Sequence, residues 1–223
     1  AEDFRWKSGA SYAIEGKRNL RFLVEGGHYV SQFNKLEPIQ PLWNSVYTVF
    51  GDNFLKMFEK DYLSTMVQWE PIAGLTFRPA LEYAMRSPLY NLPNFRGELN
   101  FTPNNPFYPD FIGPEEGFER HRAFTFSFDF SYQLGQRFRM KRGERIDEHS
   151  NLPKVYAEYR KGLPILGAVT DFDFLTIGFG SETDWGSWGF SKADLSLGGF
   201  YSDKRVEFID FKHFNGIQTL FLQ

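Results

Sequence analysis

From Arg122 to Leu134 the chain reads RAFTFSFDFSYQL, with Phe124, Phe126, Phe128, Phe130, Tyr132 and Leu134 at every second position and Thr125, Ser127, Asp129, Ser131 and Gln133 between them. A period of two is the signature of a strand with one apolar and one polar face. Lipid is a natural cover for so long an unbroken apolar face, and about eleven residues of tilted strand suffice to cross a bilayer as part of a β-barrel. The same logic recurs upstream, where Leu75, Phe77, Leu81, Tyr83 and Met85 alternate with Thr76, Arg78, Ala80, Glu82, Ala84 and Arg86. It recurs downstream, where Ala193, Leu195, Leu197 and Tyr201 oppose Lys192, Asp194 and Ser196.

Read along the whole chain, the pattern predicts about ten strands. They run near Phe4 to Ile14, Leu20 to Phe33, Tyr62 to Glu70, Leu75 to Arg86 and Arg122 to Leu134. A basic strand with Arg137, Arg139 and Lys141 follows, then Lys154 to Gly162, Asp171 to Gly180, Gly189 to Tyr201 and Arg205 to Phe214. Short turns, such as those around Gly16 and Asn19 and from Pro71 to Gly74, alternate with long loops at 34–61 and 87–121. This alternation is how outer-membrane barrels are connected. The expected fold is therefore all-β, a single antiparallel transmembrane β-barrel domain over 1–223, either closing alone or forming part of a larger ring with both ends on the periplasmic side.

Charge placement follows from the same physics. An Arg or Lys facing lipid at the midplane costs about 2–4 kcal/mol, so Arg78, Glu82, Arg86, Asp129, Glu158, Arg160, Lys192 and Asp194 are expected to line the lumen, with signs too mixed for strong ion selectivity. Pro79 gives up a ladder hydrogen bond and reads as a bulge or rim position. Trp6, Tyr29, Trp69, Tyr83, Tyr132, Tyr159 and Tyr201 are expected to form the interfacial aromatic girdle.

The first long loop carries Val46, Tyr47, Val49, Phe50, Phe54, Met57 and Phe58 at spacings of three and four, which predicts a short amphipathic helix capped by Asn44 or Ser45, packed over the barrel rim or else plugging the barrel mouth, lying at the membrane interface or docking a partner. The second contains PNNPFYPDFIGPEEGFERH, an irregular loop whose aromatics Phe107, Tyr108 and Phe111 are expected to pack the loop together, with sugar binding by stacking as the alternative. Both loops are candidate contacts for other envelope proteins.

Composition fits this picture. With 26 Phe, 11 Tyr and 5 Trp the chain is 19% aromatic, yet 24% of it is charged. No run approaches the roughly 18 uncharged apolar residues of a spanning helix. Cysteine is absent, which removes disulfides and thiolate metal sites, and a net charge of −3 leaves no footprint for nucleic acid. The start, AEDFRWKSG, has neither a basic nor an apolar signal region, and the expectation is a processed chain or an excised piece.

Chemistry-bearing residues are sparse. His28, His121, His149 and His213 fall in separate elements without metal-ligand spacing. Asp147, Glu148 and His149 read as a solvated charge cluster, and Glu115 with Glu116 as adjacent loop carboxylates rather than the separated pair that glycoside hydrolysis needs. A hydrolytic pair of Ser127 or Ser131 with His121 or His28 stays open at this level. No nucleophile elbow, phosphate loop or dinucleotide fingerprint is present. No catalytic, cofactor-binding or metal residue is assigned, no cofactor is expected, and the chain is read as a non-enzyme.

The strings LEPIQPLWNSVYTVFGDNFLKMFEKDYL, IAGLTFRPALEYAMRSPLYNL, LPKVYAEYRKGLP and DFKHFNG resemble a large outer-membrane family of Bacteroidota, a domain of unknown function that usually follows a carboxypeptidase-regulatory-like domain. The resemblance covers most of the chain. It implies a C-terminal-region fragment of a longer barrel, in the outer membrane of a Gram-negative bacterium, in contact with membrane lipid and lipopolysaccharide. It carries no site residue over. The function expected is a non-catalytic anchor or an accessory subunit of an envelope complex. The alternatives are a transport barrel (porin or receptor), a membrane-embedded lipid hydrolase, and a soluble polysaccharide-binding β-protein whose Phe face is buried against protein.

Overall fold

A computed structural model of the chain describes residues 4–14, 19–33, 57–89, 119–141, 144–148 and 150–212. Ten strands form: β1 (Trp6–Ile14), β2 (Asn19–Gln32), β3 (Met57–Ile72), β4 (Leu75–Pro88), β5 (His121–Gln133), β6 (Phe138–Lys141), β7 (Glu144–Asp147), β8 (Lys154–Gly162), β9 (Asp171–Asp184) and β10 (Phe190–Arg205). Eight of them make one sheet in the order β1-β2-β3-β4-β5-β8-β9-β10, and every adjacent pair is antiparallel. The all-β antiparallel expectation holds. Among the described residues β1 and β10 each pair on one side only, so the sheet is not closed.

Two expected wall strands lie elsewhere. The basic segment forms β6, which pairs only with β7 in a separate two-stranded hairpin at the turn end of the sheet. The segment from Arg205 onward does not continue as a strand, because after β10 the chain makes a single 3-10 turn at Phe208–Asp210. Its residues alternate apolar and charged types, but Phe208 and Ile209 are neighbours that both turn into the same apolar cluster with Phe33 and Phe58. Met57 and Phe58, expected in a helix, open β3 instead. The rest of that helix, and Phe107, Tyr108 and Phe111, lie outside the described residues.

Register is continuous at Pro79, which stands opposite Phe128 on β5 in mid-strand. The bulge falls instead near the turn of this hairpin: pairing shifts between Trp69 and Ile72, around Pro71. Toward β3, pairs are formed at Met66↔Ala80 and Trp69↔Phe77, and the two positions between are skipped without change of register. This is the local interruption expected beside a residue without an N–H.

The sheet is strongly curled. Rings of Phe33, Phe208, Phe211 and Phe200 form a chain with centroid separations of 5.5, 6.4 and 5.8 Å. Phe33 follows β2 and Phe200 lies on β10, six strand spacings apart, which is about 29 Å across a flat sheet. Three ring contacts span that gap only if the sheet wraps around the segment after β10. The first strand starts and the eighth ends at the end that bears the long connections, not at the end of the short turns where the termini of a closed ring were expected.

Candidate functional site

Strand register sorts the side chains into two faces of opposite character. On the outer face Tyr12, Phe22, Val67, Pro79, Phe128, Tyr159 and Leu175 stand in one cross-strand row, and Ile14, Leu20, Trp69, Phe77, Phe130, Ala157, Ile177 and Leu197 in the next. On β5 the uncharged stretch from Phe124 to Tyr132 is about 26 Å long, or about 20 Å of height at a tilt near 40°. On β8 and β9 it ends sooner: Lys161 and Asp173 stand level with Phe126, a stagger of the kind tilted strands produce. No charged side chain interrupts this band on any of the eight strands.

The band is uncovered. Leu195 and Leu197 are 75% and 83% exposed, and Tyr12, Leu63, Ile177 and Trp69 are also exposed. Among the described residues the elements in extensive contact are hydrogen-bonded neighbours, so no second layer lies on the Phe face. Its rings touch one another across strands, at 6.0 Å for Phe77 with Phe128 and 6.4 Å for Phe126 with Tyr159. Leu20, Val67, Trp69, Phe77, Pro79 and Phe128 outline a shallow, apolar hollow. Of the residues expected in a girdle, Trp6, Trp69, Tyr83, Tyr132 and Tyr159 lie on the outer face. Tyr29 does not: it pairs with Lys60 and lies near the Lys7 ammonium, on the inner face. Tyr201 sits at a register shift of β10.

The inner face collects the charges. Arg78, Glu82, Arg86, Asp129, Glu158, Arg160, Lys192 and Asp194 all belong to it by register, as the period-two pattern predicts. Lys7 and the Tyr62 hydroxyl both reach Glu25, at 3.1 and 2.7 Å, and Lys60 pairs with Glu82 at 2.9 Å. Arg160 Nε lies 3.1 Å from Glu158 with its guanidinium over the Phe174 ring, Lys212 reaches the same carboxylate at 3.2 Å, and Tyr156 donates to Asp194 at 2.7 Å. Nη1 of Arg86 donates to both oxygens of Asp210, and the two side chains are almost entirely buried. The inner face thus gathers the charges around the Phe33, Phe58 and Ile209 cluster while the outer face is apolar and uncovered, and an uncovered apolar face of this extent is the reverse of the usual arrangement in water.

At the turn end the β6–β7 hairpin docks through Arg145. Its Nη2 meets Glu70 at 2.5 Å, its Nε meets Asp147 at 2.7 Å, and the guanidinium covers the Phe138 ring. Burial works against the Arg145 charge, but the two carboxylates outweigh it and hold its pKa above the ordinary arginine value. Glu70 also accepts from the Gly74 N–H at 2.9 Å, and the Gln133 N–H donates to the Gly74 carbonyl, so hairpin and neighbouring turn form one polar unit. Sequence reading treated the stretch now seen as β6 as wall and the residues of β7 as part of a polar loop; Arg145 and Asp147, with Glu70 far away in sequence, give no local sign of docking.

The hydrolytic pairing is not assembled. Ser127 and His121 share one strand face six residues apart, about 20 Å, and Ser131 is farther still. His28 belongs to the outer face, where its Nδ1 lies 2.6 Å from Asp61. His149, His213, Glu115 and Glu116 lie outside the described residues. Among the described residues no three His, Cys, Asp or Glu side chains are grouped as metal ligands.

The chain belongs to a family of unknown function (DUF5686), whose C-terminal domain model matches it over residues 1–223. Neither the curated proteins nor the solved structures include a match.

Proposed function

Taking membership of that family as the premise, we propose that the chain is a wall of an outer-membrane β-barrel in a Gram-negative bacterium of the Bacteroidota, acting as a non-catalytic anchor or accessory subunit of an envelope complex. The observation that carries this reading is the uncharged, uncovered outer band across eight strands, set against an inner face where Arg86, Arg160 and Asp210 are buried. In water such a face is costly, since apolar area left exposed forfeits about 25 cal/mol per Å². In lipid the same area carries no such cost, and the inner charges are shielded by one another. The crowding of the inner face by cross-strand pairs favours an anchor over a wide, permanently open porin. The long connections then face outward to lipopolysaccharide, and the β6–β7 hairpin faces the periplasm.

The test uses single cysteines, which need no background removed from this chain because it has none. Phe126→Cys, Phe128→Cys and Asp129→Cys proteins are labelled with a fluorophore in vesicles that carry a bilayer-confined quencher. Quenching at 126 and 128 with protection at 129 is expected. Protection at all three would transfer the assignment to a soluble binding module.

A further inference from the structure

Near the long connections the edge of the outer band is marked by charge, and it is not level across the sheet. On the first five strands it lies in the row of Trp6, His28, Asp61, Met85 and Arg122. On β8 and β9 it lies at Lys161 and Asp173, level with Phe126 and so four residues nearer the short turns. A band of constant height has its other edge displaced by the same amount. On β5 that edge is at Tyr132, which stands level with Val155 and Phe179. Four residues beyond Phe179 is Thr183, and the next outward position is Trp185. Leu175, Ile177, Phe179, Ser181, Thr183 and Trp185 are all uncharged. The strand length from 175 to 185 is about 33 Å, or about 25 Å of height at a tilt near 40°, which is the height of a transmembrane band.

The turn past this edge is built to present indoles. The Trp185 N–H donates to the Gly189 carbonyl at 2.8 Å, the Trp188 N–H to Trp185 at 3.3 Å and the Gly189 N–H to Gly186 at 3.1 Å. Gly186 and Gly189 take φ values of +63° and +101°, which side-chain-bearing residues rarely adopt. Nε1 of Trp185 donates to Ser191 Oγ at 2.9 Å, and Ser191 stands opposite Thr183 on the outer face. Trp185 is 61% exposed and Trp188 is 92% exposed. No charged residue lies between Trp185 and Ser191, while Glu182 and Lys192 pair on the inner face.

We propose that the β9–β10 turn is a foot on the bilayer. Trp185 and Trp188 seat in the boundary between headgroups and acyl chains, in the phospholipid leaflet on the short-turn side, and hold this end of the sheet at that depth. The proposal rests on the barrel reading. An indole has an apolar body and a single N–H donor, which suits it to that boundary better than to water or to hydrocarbon. A protein pocket also buries indoles. The level of Trp185, however, coincides with the one set by the charged edge at the other end of the band, and two parallel edges at a fixed separation are a property of a bilayer. Phe190 has inner parity and is not part of the foot.

The reporter is Ser187→Cys, which leaves both indoles in place. The full chain is labelled there with a fluorophore in phosphatidylcholine vesicles and read against nitroxide lipids that carry the spin either at the headgroup or deep in the acyl chain. Headgroup quenching is expected to exceed deep quenching about threefold or more, and to fall about threefold or more when Trp185→Ser and Trp188→Ser are added together. Phe128→Cys, measured alongside, is expected to show the reverse order of depth. Quenching of the Ser187→Cys label by aqueous iodide and by neither lipid overturns the foot and assigns the turn to water or to a protein partner. Headgroup quenching that survives the loss of both indoles overturns their anchoring role. Should the doubly substituted protein fail to fold, as judged by circular dichroism and heat-modifiable electrophoretic mobility, Trp188→Ser alone takes its place. If lipid quenching at Phe128→Cys is lost, the barrel reading falls; if it persists while the Ser187→Cys label is untouched by lipid, only the foot falls.

Discussion

Arg86 and Asp210 stand 124 positions apart, and a single guanidinium nitrogen, Nη1 of Arg86, donates to both carboxylate oxygens of Asp210 at 3.0 and 2.9 Å. Removing one partner from such a buried pair strands the other charge, at a cost of about 3–5 kcal/mol, whereas replacing both with apolar residues is often neutral. Asp210→Ala is therefore expected to lower the unfolding free energy in detergent or lipid by that amount, and Arg86→Leu with Asp210→Leu to stay within about 1–2 kcal/mol of the parent. Denaturant titration of both proteins measures the difference. Equal destabilisation would mean that apolar volume, not charge pairing, governs the site.

Phe128 and Ser131 lie three residues apart on β5 but on opposite faces. In a bilayer Phe128→Arg is expected to cost about 2–4 kcal/mol, and Ser131→Arg, on the polar side, less than about 1 kcal/mol. Reversible folding into vesicles under urea compares the two. A soluble protein with its core on the Phe side also penalises Phe128→Arg, so the comparison is repeated without lipid. The penalty should then disappear, because the outward band has no protein cover to lose.

Gly178 faces Tyr156 directly across β8 and β9, and a methyl group there would collide with the phenol ring. The ring would have to leave its 2.7 Å bond to Asp194. Gly178→Ala is expected to destabilise by about 1–3 kcal/mol. Gly199→Ala meets nothing within 4 Å and is expected to be neutral or to stabilise by up to about 1 kcal/mol through the unfolded state. Thermal unfolding of the pair gives the contrast in one experiment.

Arg145 ties the β6–β7 hairpin to Glu70. Arg145→Ala is expected to loosen the hairpin by about 1–3 kcal/mol while the eight-stranded sheet persists, since neither β6 nor β7 belongs to it. Hydrogen exchange should accelerate at Phe138–Lys141 and remain unchanged at Phe124–Tyr132. Acceleration at both would show the hairpin to be integral to the sheet.

Where sequence reading succeeded, the signal was local. The period of two in β4, β5, β8 and β10 places eight charged residues on one face, and cross-strand register agrees for each of them, because a side-chain period of two leaves no freedom once a strand is assigned. It failed where the outcome depends on distant partners. Tyr29 has the residue type of a girdle position but the parity of an inner one. Pro79 looks like a break, yet its register survives, and the bulge falls at Pro71. Arg137, Arg139 and Lys141 alternate as a wall strand does, and only the docking of Arg145 on Glu70 reveals a hairpin outside the sheet.

Strand type, antiparallel order through short connections and the division into apolar and polar faces were written in the order of residues, since each follows from a period of two and from turns between neighbours. The curl of the sheet, the turn at Phe208–Asp210 that packs on Phe33 and Phe58, and the burial of Asp210 were not. They arise from tertiary contacts, those of Arg86 with Asp210 and Phe33 with Phe208 joining residues more than a hundred positions apart, and a charged residue in a segment of mixed apolar and charged types carries no mark of its own to say that an arginine on the fourth strand will take it out of water.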